Sequence, residues 1–130
     1  MKKAKKTNKI ASAPHIFSQA IELNGLVFVS GQVGADVDWK LVDGGVATEC
    51  KKAIENIKDI LAESNVGLDQ IVKATIYVTD ISSAQEINEV YSSFFSDPLP
   101  AREMVEVKAL PLGARIEISV IASQNQEILA

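Results

Sequence analysis

Asn24-Gly25, set between two apolar runs, constrains the fold of this chain more than any other pair of residues. Asparagine and glycine tolerate the left-handed backbone of a tight two-residue turn, and that turn carries the twist of the strands it joins. Phe17 to Leu23 and Leu26 to Ser30 are therefore expected to pair as an antiparallel hairpin.

After the hairpin comes a loop through Asp36, Asp38, Trp39, Gly44 and Gly45, with Trp39 to Val42 as a candidate short strand inside it. Val46, Cys50, Ala53, Ile54, Ile57 and Leu61 then recur at spacings of three and four. That period predicts an amphipathic helix over about 46–64, stopped near Asn65 and Gly67. Ile71 to Val78 alternates as a strand should, with Val72, Ala74, Ile76 and Val78 on one face and Lys73, Thr75 and Tyr77 on the other. Ser82 or Ser83 can cap a second helix to about Ser96, its stripe being Ile87, Val90, Tyr91 and Phe94. Pro98 and Pro100 stiffen the approach to a strand that begins at Arg102, and a last strand runs from Ala114 to Ala122.

The chain has 130 residues, enough for one domain with a core that needs neither disulfides nor metal. A single cysteine, Cys50, excludes an internal disulfide and a cysteine zinc cluster and fits a reducing compartment. His15 is the only histidine, which argues against a triad hydrolase. The net charge of −4 argues against a dedicated nucleic-acid binder, because such affinity rests on a surplus of Lys and Arg. The exception is Lys2-Lys3-Ala4-Lys5-Lys6, read here as part of a loosely ordered tail over residues 1–11. No apolar region of signal-peptide length succeeds it and no stretch is long enough to cross a bilayer, so a cytoplasmic protein is expected.

Two residues stand out for chemistry. Alternation after the prolines puts Val105 and Val107 on one face of their strand, with Arg102, Met104 and Glu106 on the other. In the last strand Ile116, Ile118, Val120 and Ala122 face one way and Arg115, Glu117 and Ser119 the other. If the strands share one helix-covered layer, Arg102 and Glu117 lie together on the opposite face, although Arg102 reads equally as a strand-end partner in a surface ion pair. Two helices cover only one side of a sheet. Leu26, Phe28, Ile71, Tyr77 and Met104 would leave apolar surface in water on the other side, which marks a subunit interface.

Six segments in order resemble the Rid, or YjgF-like, imine deaminase family: Phe17 to Ile21, Val29 to Gln32, Ile71 to Val78, Asn88 to Phe95, Pro100-Ala101-Arg102 and Ile116-Glu117-Ile118. The resemblance spans roughly residues 12–123. It implies an α+β, chorismate-mutase-like fold, a mixed β-sheet with two helices packed on one face, assembled as a homotrimer with clefts between subunits. The implied reaction is hydrolysis of 2-imino or 2-enamino acids to 2-keto acids and ammonia without a cofactor or metal. Proteins of this family are also described as ribonucleases or translation inhibitors.

Arg102, by its planar fork, suits bidentate binding of the substrate carboxylate. Glu117 matches the family position proposed to orient water or accept its proton. Ser30 and Gly31 match the cleft-lining loop, and a strand-ending turn explains them equally well. Asn88 matches a helix position of the family and reads equally as a solvated helix residue. Phe17 stands where the family often carries tyrosine, so a phenolic hydroxyl is missing; Met104 replaces a frequent cysteine and Ser119 a frequent glutamate. His15 can carry a proton near neutral pH, though a lone histidine is more often a surface or packing residue. A trimer that binds small carboxylates without turnover needs only Arg102. A ribonuclease would need a basic groove with stacking aromatics, and aromatics are only 5% of this acidic chain.

Overall fold

Both residues of the Asn24-Gly25 turn take positive φ, 52° and 79°, and the turn joins β2 (Ala20–Leu23) to β3 (Leu26–Val33) in antiparallel register. These elements belong to a computed structural model of the chain that describes residues 1–125. The first strand is shorter than its apolar pattern, because Phe17 to Gln19 approach the sheet without entering β2. β3 is longer, because a register shift between Val29 and Gln32 carries it through Ser30-Gly31 instead of ending there.

Residues 1–11 are not the loose tail expected of a lysine-rich terminus. β1 (Lys3–Lys5) pairs with β2, and Thr7, Ile10 and Ala11 are buried. One buried amide ties down the segment between β1 and β2. Gln19 accepts the Thr7 N–H at 2.8 Å and its Nε2 lies within hydrogen-bonding distance of the Thr7, Ile10 and Ala11 carbonyls. Hydrophobic periodicity carries no trace of such a clasp.

The first helix, α1 (Val46–Ala62), buries Cys50, Ala53, Ile54, Ile57 and Leu61 as their spacing requires, and the chain turns away at Asn65, where φ is 57°. α2 (Ala84–Ser92) comes after a single 3-10 turn whose entry is capped by the Asp80 carboxylate on the Ser82 N–H, 3.0 Å. It stops short of Ser96, with Ile87 and Tyr91 buried and Val90 and Phe94 only partly so. Trp39 to Val42 forms no strand beyond a bridge between Ala35 and Leu41.

With β4 (Ile71–Val78), β5 (Ala101–Glu106) and β6 (Ile116–Ser123) the sheet has six strands in the order β1-β2-β3-β6-β4-β5. Every pairing is antiparallel except β4 with β5. The result is a mixed α+β fold with both helices on one face. Val27, Val29, Ala74, Ile76, Val78, Ile116, Ile118 and Val120 share one buried cluster there with residues of α1 and α2, and each large aliphatic side chain so buried contributes about 2 kcal/mol of transfer free energy.

Two face assignments differ from the alternation. A register shift between Ile71 and Lys73 turns Ile71 inward, 4% exposed, and Val72 outward, 48% exposed. The second concerns β5. Arg102 lies across from Ala74, Met104 from Ile76 and Glu106 from Val78, so this phase faces the helices and Met104 packs against the core. Val105 lies across from Tyr77 on the open face and is 42% exposed. Arg102 therefore does not point away from the helix layer. It lies on that side, at the edge of the sheet. The open face carries Ile21, Phe28, Ile121, Tyr77 and Val105 among Lys73, Glu103 and Glu117.

Candidate active site

Glu117 is the second residue of β6, on the open face between Val33 of β3 and Tyr77 of β4. The bulge at Ser30-Gly31 brings the β3 backbone against its side chain. A Cβ added at Gly31 would stand 2.8 Å from the Glu117 Cδ and 3.0 Å from Oε1, so glycine is what the carboxyl group permits there. Burial raises the Glu117 pKa above the usual glutamate value, which moves a carboxylate toward the range where it can both take and return a proton near neutrality. Ser30 is held beside it: its hydroxyl donates to the Ser18 carbonyl at 2.6 Å and its N–H to the Gln19 carbonyl at 2.9 Å. Ser30, Gly31 and Glu117 line a cavity of about 280 Å³ whose other walls include Phe17, Trp39 and Leu112.

Arg102 occupies a different place. Its Nη1 donates to Asn88 Oδ1 at 2.7 Å, and its guanidinium lies over the Tyr91 ring, 4.9 Å from the centroid. Tyr91 in turn stacks on Phe95, with centroids 4.4 Å apart. Two residues of α2 thus orient an exposed guanidinium from below and from the side, and among the described residues several of its N–H groups have no other partner, which leaves them for a carboxylate. Cys50 lies beneath this cluster, its thiol pushed up to about 11 by burial against the opposing pull of Arg102, and it is no nucleophile at neutral pH. Burial likewise raises the Tyr91 phenol.

The six residues singled out from the sequence therefore fall into two groups within one chain. Phe17, Ser30, Gly31 and Glu117 share the cavity, while Arg102 and Asn88 share the β5–α2 edge. β5 and β6 are separated by β4, and the registers set Arg102 and Glu117 three rows apart on opposite faces. From strand spacing and rise the Cα atoms are roughly 14 Å apart. The expectation that both lie on one open face is thus corrected. Alternation on an edge strand carrying Met104 as well as Val105 and Val107 does not reveal which phase meets the helices.

His15 lies in an exposed turn and does not line the cavity. Sequence reasoning missed Trp39, Leu112 and Asn56 as cavity residues. Asn56 is 1% exposed; its amide donates to the Ala35 carbonyl at 3.0 Å and holds the end of β3, and its Oδ1 has no partner among the described residues. A lone tryptophan in a polar loop was the one signal that could have found Trp39.

Residues 7–124 match the family model described as Endoribonuclease L-PSP. A Rattus norvegicus protein named 2-iminobutanoate/2-iminopropanoate deaminase is 40% identical over 126 residues, 96% of this chain and 92% of its own. Among solved structures, YyfA of the Rid protein family from Yersinia pestis matches with a TM-score of 0.90 at 37% identity, covering 95% of this chain and 99% of that one. E. coli TdcF, solved with bound serine, matches with a TM-score of 0.87 at 28% identity, covering 95% of this chain and 99% of that one.

Proposed function

The chain belongs to the endoribonuclease L-PSP family, also called the Rid or YjgF-like family, and we propose that it hydrolyses reactive 2-imino acids to 2-keto acids and ammonia, in clefts between the subunits of a homotrimer. The observation that carries this reading is the half-buried carboxyl of Glu117, its pKa raised, packed on Gly31 in the wall of a cavity. A deaminase name on a relative 40% identical supports it, and so does the serine bound to TdcF, a small ligand with a carboxylate.

Trimeric assembly is supported by the division of the site. One chain cannot bring Arg102 and Glu117 to one small substrate, but β5 is an edge strand of the sheet and Glu117 looks out of the uncovered face. A second copy whose β5 edge meets that face joins the two groups and covers Phe28 and Val105, 39% and 42% exposed.

In the completed cleft Arg102 of a neighbouring copy grips the substrate carboxylate, with Asn88 and Tyr91 fixing the plane of the guanidinium. The carbon between carboxylate and iminium nitrogen then stands before Glu117. Glu117, ionised, takes a proton from water as the oxygen bonds to that carbon and the C=N pair moves to nitrogen. The carbinolamine collapses when that proton goes to the nitrogen and Glu117, ionised again, takes the hydroxyl proton: the C–N bond breaks, the carbonyl forms, and ammonia leaves with the last proton as ammonium. Water is the only co-reactant. Because imines hydrolyse readily, positioning supplies much of the acceleration.

The deciding experiment generates 2-aminoacrylate enzymatically and measures keto-acid release with and without the protein, alongside its mass by light scattering. Turnover by a particle of about 42 kDa, three times 14.0 kDa, is expected. A monomeric mass at micromolar concentration rejects the shared cleft. The absence of a phenol at Phe17 favours one alternative, a trimer that holds small carboxylates without turnover, and keto-acid binding with no acceleration would select it.

A further inference from the structure

Among the described residues, four that are not glycine take positive φ: Asn24, Trp39, Asn65 and Leu112. Asparagine adopts that conformation readily, whereas for bulky side chains it is a strained outlier. The two bulky cases, Trp39 at 64° and Leu112 at 63°, both line the Glu117 cavity. Both also keep large apolar side chains in solvent, 41% and 48% exposed, and Phe17 beside them is 39% exposed. Strain and exposed apolar surface are each unfavourable, and their coincidence at one cavity marks a site where the side chains act on something other than the core.

The loop bearing Trp39 is built to hold it there. The Asp36 carboxylate accepts the Asp38 and Lys40 N–H groups at 2.9 and 3.0 Å. The Trp39 N–H donates to the Asp36 carbonyl at 3.1 Å, and the Asp36 N–H to the Lys40 carbonyl at 2.8 Å. With its backbone so fixed, the indole stands edge-on to Phe17, centroids 6.4 Å apart and planes at 78°. Leu112 enters from the turn before β6.

We propose that Phe17, Trp39 and Leu112 form an apolar clamp for the substrate side chain, selecting 2-imino acids with large hydrophobic or aromatic side chains over those with a methyl or ethyl group. The cavity of about 280 Å³ has the volume of about nine waters at ~30 Å³ each, far more than a methyl or ethyl group fills. Glu117, beside which the imine carbon would stand, and the apolar side chains of Phe17, Trp39 and Leu112 line the same cavity. Phenylalanine at position 17, in contact with the indole, makes the rim more apolar than a phenol would. The clamp rests on the deaminase reading for the class of substrate, and its test is arranged so that the two can fail separately.

Trp39→Gly is the chosen variant, because glycine suits φ of 64° and the fold is not put at risk. Imines are generated in situ by an amino-acid oxidase from phenylalanine, leucine and alanine, and their decay is measured. The wild type is expected to show higher kcat/KM for the phenylalanine- and leucine-derived imines. Trp39→Gly should lower the phenylalanine-derived value tenfold or more while lowering the alanine-derived value less than threefold, and Trp39→Phe should restore most of the difference. Equal losses on both substrates, or no preference in the wild type, overturn the clamp. If the wild type hydrolyses no imine, the deaminase reading falls and calorimetry with product keto acids decides the clamp alone. Tighter binding of phenylpyruvate than pyruvate, lost in Trp39→Gly, supports it; equal affinities in the wild type overturn it.

Discussion

Replacing Gly31 by alanine puts a methyl group against the group on which the proposed chemistry depends. The added carbon would meet the Glu117 Cδ at 2.8 Å, Oε1 at 3.0 Å and Cγ at 3.1 Å, where ordinary contact begins at 3.4 Å, so the carboxyl must withdraw by about 0.6 Å. The obstacle is a side chain rather than backbone, and Gly31 lacks the positive φ that would exclude alanine. The strand therefore stays in place and Glu117 leaves its rotamer, at about 0.5–1.5 kcal/mol. Alanine also lowers the entropy of the unfolded chain, which returns about 0.4–1 kcal/mol. Stability should change by less than about 1 kcal/mol and Tm by less than about 4 °C. Turnover should not be spared. A misplacement of 1 Å can cost about 10²-fold, so 0.6 Å predicts a loss on the order of 10-fold. Thermal melts monitored by circular dichroism and keto-acid release from enzymatically generated 2-aminoacrylate measure the two effects. A double-variant cycle locates the cause: in a Glu117→Gln background Gly31→Ala should cost little more, because its effect is routed through that side chain. Full activity in Gly31→Ala, the same loss in both backgrounds, or a melt lowered by 10 °C would refute the reasoning.

Glu117→Gln should slow turnover by about 10²-fold, the low end for loss of a general base, while calorimetric affinity for a product keto acid stays nearly unchanged because Arg102 holds the carboxylate. Burial raises the Glu117 pKa, so its contribution to stability is full below the usual glutamate value and is lost as pH rises through the raised one; Glu117→Gln should melt higher than the wild type at neutral pH and lose that advantage in acid. Arg102→Lys should fold and assemble normally but bind keto acid poorly, since a point charge replaces the fork that Asn88 and Tyr91 orient, and unchanged affinity in the purified variant would return Arg102 to a surface role. Arg115→Ala tests a clasp away from the reaction, buried on one side only: Glu49, 0% exposed, accepts the Arg115 N–H at 2.8 Å and the Arg115 Nη1–H at 2.7 Å, while the Arg115 side chain is 58% exposed. Losing the guanidinium leaves that carboxyl with the Arg115 N–H alone at a cost of about 1–2 kcal/mol, because water reaches the space a half-exposed side chain vacates, read as a lowered urea midpoint.

The features legible before folding are those that neighbours along the chain decide. The Asn24-Gly25 turn needs only two residues that accept positive φ, the α1 stripe from Val46 to Leu61 needs only a period, and Ile71 to Val78 begins and ends as read. Arg102 and Glu117 were legible as chemically apt residues at strand ends. The sheet alone decided their faces, because a strand with apolar residues in both phases takes its orientation from its partner, and pairing Arg102 with Ala74 turns it toward α2. The same limit explains Val72, turned out by a register shift, and residues 1–11, held by pairing with β2 and by the buried side chain of Gln19. It also explains the cavity, assembled from Phe17, Trp39, Asn56, Leu112 and Glu117. Those residues share no period and no motif, and only closure of the tertiary fold, which brings distant segments within a few ångströms, makes them neighbours.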